Sequence, residues 1–167
     1  MSLEDRAKFL SAPSINHLCK TIIMKNSKWH AGVESFPQVE NDPSYPQNVI
    51  IITQFTGTVV AQKVQNIMKQ YQNDNTKTGQ KVSNKGFHFK FADEPDAISM
   101  SGYQFNAITP FLMSGGGEKL PIILSEDIAQ LEPPYLWHSG GRIQIKMGVS
   151  VADFKRHFGD RVIVAKI

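Results

Sequence analysis

One cysteine, Cys19, occurs in the 167 residues. A lone thiol excludes an internal disulfide framework and any multi-cysteine zinc site, and it suits a reducing compartment. Long apolar runs are missing too. No stretch approaches the ~18 consecutive apolar residues of a membrane span, and no charged start leads into an apolar run of signal length. Charge of one sign is scarce: 18 Lys and Arg against 15 Asp and Glu leave a net charge of +3, which permits an anionic partner without requiring one. No Gly-x-Ser-x-Gly elbow is present and Cys19 has no triad context, so it reads as a small buried apolar residue. The five histidines, His17, His30, His88, His138 and His157, lack metal-ligand spacing, so no metal and no other cofactor is expected. These absences together predict a soluble, cytoplasmic protein with no membrane partner.

What is present is enough apolar residue, 41%, for one sizeable core, and residues 1–167 read as a single domain. Leu3, Ala7 and Leu10 fall at helical spacing behind Ser2, a suitable N-cap, and this helix ends before Pro13. The β-branched run after Lys20 predicts a buried strand, as does Asn48 to Thr53. Between them, residues 26 to 48 carry three prolines and no period, and read as a long loop crossing the surface. Val60, Val64, Ile67, Met68 and Tyr71 share one helical face, followed by a polar loop from Asp74 to Gly86 and an alternating strand from Phe87 to Phe91. A short helix near Asp93 to Met100, a strand at Pro121 to Leu124 and a helical turn at Glu126 to Leu131 come next. Strands are expected at Tyr135 to His138, at Ile143 to Met147 and around Val162 to Val164, with a helix carrying Val151, Phe154 and Phe158 before the last. The order is mixed α/β without a simple βαβ repeat.

Several residues carry candidate chemistry. A lysine beside a buried strand, Lys20, packs its stem in the core and presents its ammonium at a cleft or at the rim, where it either binds phosphate and polarises a carbonyl or merely snorkels. Lys77, Lys81 and Lys85 recur four apart in the polar loop, which suits either a solvated surface or contacts to a phosphate backbone. His138 precedes the bend Ser139-Gly140-Gly141-Arg142 and is either a satisfied strand histidine or a donor to substrate. Exposed amides of that bend would suit an oxyanion or phosphate, although paired glycines are more often just a turn. Gly115-Gly116-Gly117 lacks the lysine and spacing of a phosphate loop and reads as a flexible hairpin tip. The tryptophans and phenylalanines read as core and loop anchors and not as a base-stacking platform.

Taken in order, His17-Leu18-Cys19-Lys20-Thr21-Ile22-Ile23-Met24, Gly102-Tyr103 through Asn106-Ala107-Ile108-Thr109-Pro110, Leu120 to Leu124, and Ser139 to Arg142 resemble the YbaK family, also called the aminoacyl-tRNA synthetase associated domain. Its members resemble the editing domain of prolyl-tRNA synthetase and hydrolyse mischarged tRNA. The resemblance implies a curved mixed sheet flanked by helices, with a cleft between the Lys20 strand and the Gly102 to Pro110 turn. It implies that Lys20 is the family's functional lysine, anchoring the amino acid or terminal phosphate. It also implies that amides near Ala107 and Gly140 hold the carbonyl oxygen while a water or substrate hydroxyl attacks. Asn106 stands where the family's Gly-x-x-x-Pro loop has glycine, so its side chain would alter the pocket. The start, Leu3 to Leu10, looks like the eukaryotic subgroup, in which this domain is part of longer proteins. The implied partners are tRNA and an aminoacyl-tRNA synthetase or multi-synthetase complex. The alternatives are a noncatalytic tRNA-binding or synthetase-associated module that retains the fold, and a small-molecule binding domain.

Overall fold

In the computed structural model, which describes residues 1–167, the first helix, α1 (Leu3–Phe9), is closed by a capping box between Ser2 and Asp5. β1 (Cys19–Asn26) and β2 (Asn48–Gln54) pair antiparallel, with Cys19 opposite Gln54 and Lys25 opposite Asn48. The segment joining them is a departure from the expected surface loop. It contains a helix, α2 (Trp29–Ser35), and buries Val39 and Tyr45. Trp29 Nε1 donates to the Tyr45 carbonyl at 2.9 Å. Tertiary anchoring of this kind has no period in the sequence, which is why the helix could not be read there.

α3 (Ala61–Asn75) runs two residues into the loop expected from Asp74, and β3 (Phe89–Phe91) begins two residues late. Asp93 caps α4 (Glu94–Ser101), accepting from the Asp96 amide. β4 (Ile122–Ser125), the one-turn α5 (Glu126–Ala129) and β5 (Tyr135–Ser139) follow. β6 (Lys146–Ser150), α6 (Val151–Phe158) and β7 (Val162–Ala165) close the chain. The expected strand at Ile143 to Met147 is displaced: Gly140 to Ile145 is the loop of the β5–β6 hairpin, closed by the Gly140 amide donating to the Ile145 carbonyl at 2.9 Å. The alternation of Ile143, Ile145 and Met147 therefore did not mark a half-buried strand. The triple glycine is likewise no flexible tip. Gly115 has φ +48, and a Cβ there would collide with the Ser99 carbonyl, so the turn is wedged against the end of α4.

The main sheet has the order β3-β1-β2-β4-β7, with β1 antiparallel to both neighbours and β2, β4 and β7 mutually parallel. Alternation along the strands divides the core. Cys19, Ile23, Ile50, Ile52, Ile122 and Leu124 face a cluster completed by Leu136, Val151, Phe154 and Phe158. Met24, Val49, Ile51 and Ile123 face the other, with Val64 and Met68 of α3 and with Tyr45. A sheet covered on both faces needs continuous apolar strands, and β2 and β4 have them. The β5–β6 hairpin is tied to the sheet by a parallel bridge between Leu18 and Trp137. No helix is long and apolar enough to cross a membrane.

Candidate functional site

The site lies along an uncovered stretch of the β1 edge. β3 covers only Met24 to Asn26, and β5 touches β1's approach at Leu18. Leu18 C=O accepts from Phe55 N–H on the β2 side at 2.9 Å, while Ile23 C=O accepts from Ala92 N–H on the opposite side at 3.0 Å. Main-chain groups alternate along a strand, so those of Thr21 turn away from β2, toward the gap. Into this gap opens a cleft of about 1300 Å³, walled by α1, β1, the turn at Phe105 to Ile108 and the β5–β6 loop.

Arg6, Lys20 and Lys146 line the cleft and no Asp or Glu does. Lys20 is half-buried and belongs to neither of the two ion pairs, Lys25–Asp96 and Asp153–Arg156. A cluster of cations without counter-charge focuses a positive potential into the opening. Thr21 Oγ1, His138 Nε2 and Ser139 Oγ, all from lining residues, are buried without a hydrogen-bond partner. Each such group costs about 1–3 kcal/mol while unsatisfied.

His138 is 1% exposed and stacks on Phe111 with ring centroids 5.4 Å apart. Its Nδ1 lies 3.3 Å from Thr109 Oγ1. Burial pushes the imidazole down to about 4, against an upward influence of the Ser139 backbone and with a further lowering by Lys146. The ring is therefore neutral near pH 7, with one nitrogen engaged by Thr109 and Nε2 unpartnered.

The turn that faces β1 is clamped at its base. Tyr103 Oη donates to the Phe111 carbonyl at 2.6 Å, and the Ser114 amide to the Ser101 carbonyl at 3.2 Å. Gly102, with φ +75, caps α4 against Ser114, and neither it nor Tyr103 lines the cleft. Asn106 holds φ +65, a left-handed conformation that asparagine tolerates, and lines the cleft beside Ile108. Ala107, Thr109 and Pro110 are buried behind them. Gly140 and Gly141 do not line the cleft. A Cβ on Gly141 would come within 2.9 Å of the Tyr103 ring, so the glycine bend docks against the clamp of the opposite turn. The structure thus brings Lys20, Asn106, Ile108, His138 and Ser139 to one cleft, with the other expected residues of the two turns as its supports and Lys77, Lys81 and Lys85 outside it.

The role expected of the amides near Ala107 and Gly140 narrows to particular residues. The Ala107 amide already donates to the Gln104 carbonyl at 3.0 Å and the Gly140 amide to Ile145, so neither is available to a substrate oxygen. The amides of Asn106 and Ile108 have no partner within the chain. Lys77, Lys81 and Lys85 are exposed and none lines the cleft. They sit in the segment after α3, where the Asp42 carboxylate accepts from Thr76 Oγ1 at 2.8 Å and the Lys77 amide at 2.9 Å. Burial raises the Asp42 carboxyl, but the hydrogen bonds from Ser44, Thr76 and Lys77 outweigh it and hold the group at about 2. Cys19 is 2% exposed and burial pushes its thiol up to about 12, as befits a core residue.

Sequence reasoning missed Arg6, Thr21 and Lys146, and it misjudged the phenylalanines. Phe9, Phe55, Phe91 and Phe105 gather around the cleft. A signal existed for two of them: Phe55 stands between Gln54 and Thr56, and Phe105 between Gln104 and Asn106, polar settings in which a core phenylalanine is out of place.

The sequence matches no family model and no curated protein. Among solved structures, the fold matches a scaffold from computational epitope-backbone grafting, with TM-score 0.68 and 13% identity over 99% of this chain and 79% of that one. It matches a candidate trans-editing enzyme for prolyl tRNA synthetase with TM-score 0.67 and 13% identity, covering 99% of this chain and 78% of that one. A hypothetical protein follows, with TM-score 0.65 and 11% identity over 99% of this chain and 82% of that one. At such identities the likeness speaks to fold alone, and the chain has the YbaK-like mixed α+β fold that its sequence islands suggested.

Proposed function

We propose that residues 1–167 form a single aminoacyl-tRNA deacylase domain of the YbaK family, eukaryotic subgroup, which clears mischarged tRNA in trans. The observation that carries this reading is Lys20, free of any ion pair in a cleft that has cations, unsatisfied polar atoms and no carboxylate. The likeness to a candidate trans-editing enzyme supports it. The reaction is ester hydrolysis. A water attacks the carbonyl carbon, the C–O bond to the terminal ribose breaks, and the departing ribose oxygen takes a proton, leaving tRNA and the free amino acid. Lys20 anchors the anionic end of the substrate. The unpartnered amides of Asn106 and Ile108, on either side of Ala107, take the role expected of amides near Ala107 and Gly140, donating to the carbonyl oxygen as it gains charge. His138 and Ser139 satisfy their free atoms on the acyl group or ribose. No side chain serves as nucleophile. The partners are tRNA and a synthetase, and the setting is cytoplasmic.

The second reading, a noncatalytic tRNA-binding module, is favoured by one feature: Asn106 adds a side chain to the cleft where the family's glycine adds none. Hydrolysis of a panel of mischarged tRNAs separates the two. Small amino acids such as Cys, Ala and Ser on noncognate tRNAs are offered to this protein and to Lys20→Ala. Loss of one charge-assisted hydrogen bond, ~1.5–3 kcal/mol, predicts at least a tenfold drop in kcat/KM for the variant. Equal turnover by both forms sinks the mechanism. No turnover with salt-sensitive tRNA binding intact selects the module.

A further inference from the structure

We infer that the mouth of the cleft is a stacking platform for the unpaired nucleotides at the 3′ end of an RNA, and that the tRNA is held there and not by the lysines of the Asp74 to Gly86 loop. This rests on the tRNA reading and says which surface does the binding. Phe9, Phe55, Phe91 and Phe105 are 79%, 40%, 57% and 50% exposed, and they are all of the chain's strongly exposed phenylalanines. They come from four separate segments, yet every one lines this cleft. Four rings left in water at one place, with Arg6, Lys20 and Lys146 and no acidic residue among them, match a ligand that has flat apolar faces and a string of negative charges.

Arg6 stands 5.9 Å from the centre of the Phe55 ring, so one of the cations is itself part of the aromatic surface. An anionic amphiphile such as a fatty acid brings one charge to three cations and no flat face to the rings, whereas an RNA strand brings a charge with each phosphate and a flat face with each base. A duplex hides its base faces and has nothing to offer the rings, so the preference is for single strands.

Fluorescence anisotropy with the full chain tests this, using a short unpaired RNA ending in CCA, the same RNA closed into a blunt duplex, and palmitate as competitor. The unpaired RNA binds and the duplex does not. Phe91→Leu and Phe105→Leu, exposed changes that keep the fold by circular dichroism, each weaken it by about 5- to 150-fold (~1–3 kcal/mol). Replacing Lys77, Lys81 and Lys85 together by Gln leaves it unchanged. Duplex binding as tight as single-strand binding, or unaltered affinity in both Phe variants, overturns the platform, and the editing reading then stands or falls separately on turnover of mischarged tRNA. Binding of palmitate with no binding of either RNA overturns the platform and tRNA recognition together.

Discussion

A neutral buried histidine makes this fold acid-sensitive in a defined window. The His138 imidazole titrates near 4 in the folded chain, because burial disfavours its charged form, against about 6.5 when unfolded. Between these values the unfolded chain binds more protons, so stability rises with pH there. It is fully present above pH ~6.5 and is lost as pH falls toward ~4. At 1.36 kcal/mol per pH unit the full loss is ~3 kcal/mol, and by pH 5.5 it already amounts to about 1.4 kcal/mol. Asp42 acts lower down: its carboxyl is held at about 2 in the fold, so its contribution is present above pH ~4 and fades as pH falls through ~2. Urea unfolding of the parent and of His138→Gln, followed by circular dichroism from pH 7.5 to 4.5, isolates the histidine, since every other titration is common to both. The gap between the two stability curves should narrow by more than 1 kcal/mol as pH falls to 5.5. Parallel curves across that range would show that His138 is hydrated in the fold and that the cleft is wetter than its geometry implies.

Two further outcomes follow from positions in and under the cleft. Asn106→Gly removes a side chain from the cleft wall at a backbone position with φ +65, where glycine is at ease. Stability should change by under ~1 kcal/mol, while relative kcat/KM values across acyl groups shift; an identical substrate profile would mean that Asn106 does not shape the pocket. Cys19, 2% exposed with its thiol pushed to about 12, should alkylate only through opening of the fold. Iodoacetamide labelling at pH 8 should therefore be far slower than in urea, and equal rates would contradict its burial.

Much of the fold was legible because its signals are local. β2 declares itself as a run of Val and Ile, α6 as Val151, Phe154 and Phe158 on one face, and α1 through the Ser2 cap. What was hidden depends on distant partners. α2 is held by Trp29 on the Tyr45 carbonyl and by the close approach of the Tyr45 ring to Gly32, neither of which leaves a period. The strand expected at Ile143 to Met147 was misplaced because Ile143 and Ile145 lie in the hairpin loop and line a cleft instead of filling a core. At the site, Lys20 and His138 were visible as residue types beside strands. The emptiness of the β1 edge next to them was not, because it arises from β3 being three residues long.

The charge of the cleft also constrains any chemistry done in it. With no carboxylate among the lining residues and the His138 imidazole made weakly basic by burial, at about 4, there is no strong general base beside Lys20. Ester hydrolysis in such a cleft would have to work by holding the ester and stabilising the oxygen that gains charge, leaving activation of the water to the substrate's own groups. If the substrate is the aminoacyl ester proposed above, the same electrostatics act on its amine. An α-amino group titrates near 7.7–8.0 in water, and placing it near Arg6, Lys20 and Lys146 with no counter-charge favours its neutral form. The phosphates of such a substrate would be drawn in by the field that repels a protonated amine. That division fits a site in which the nucleotide end supplies binding energy, while the acyl group is accepted through neutral hydrogen bonds from Ser139, His138 and the open backbone of the Asn106 turn.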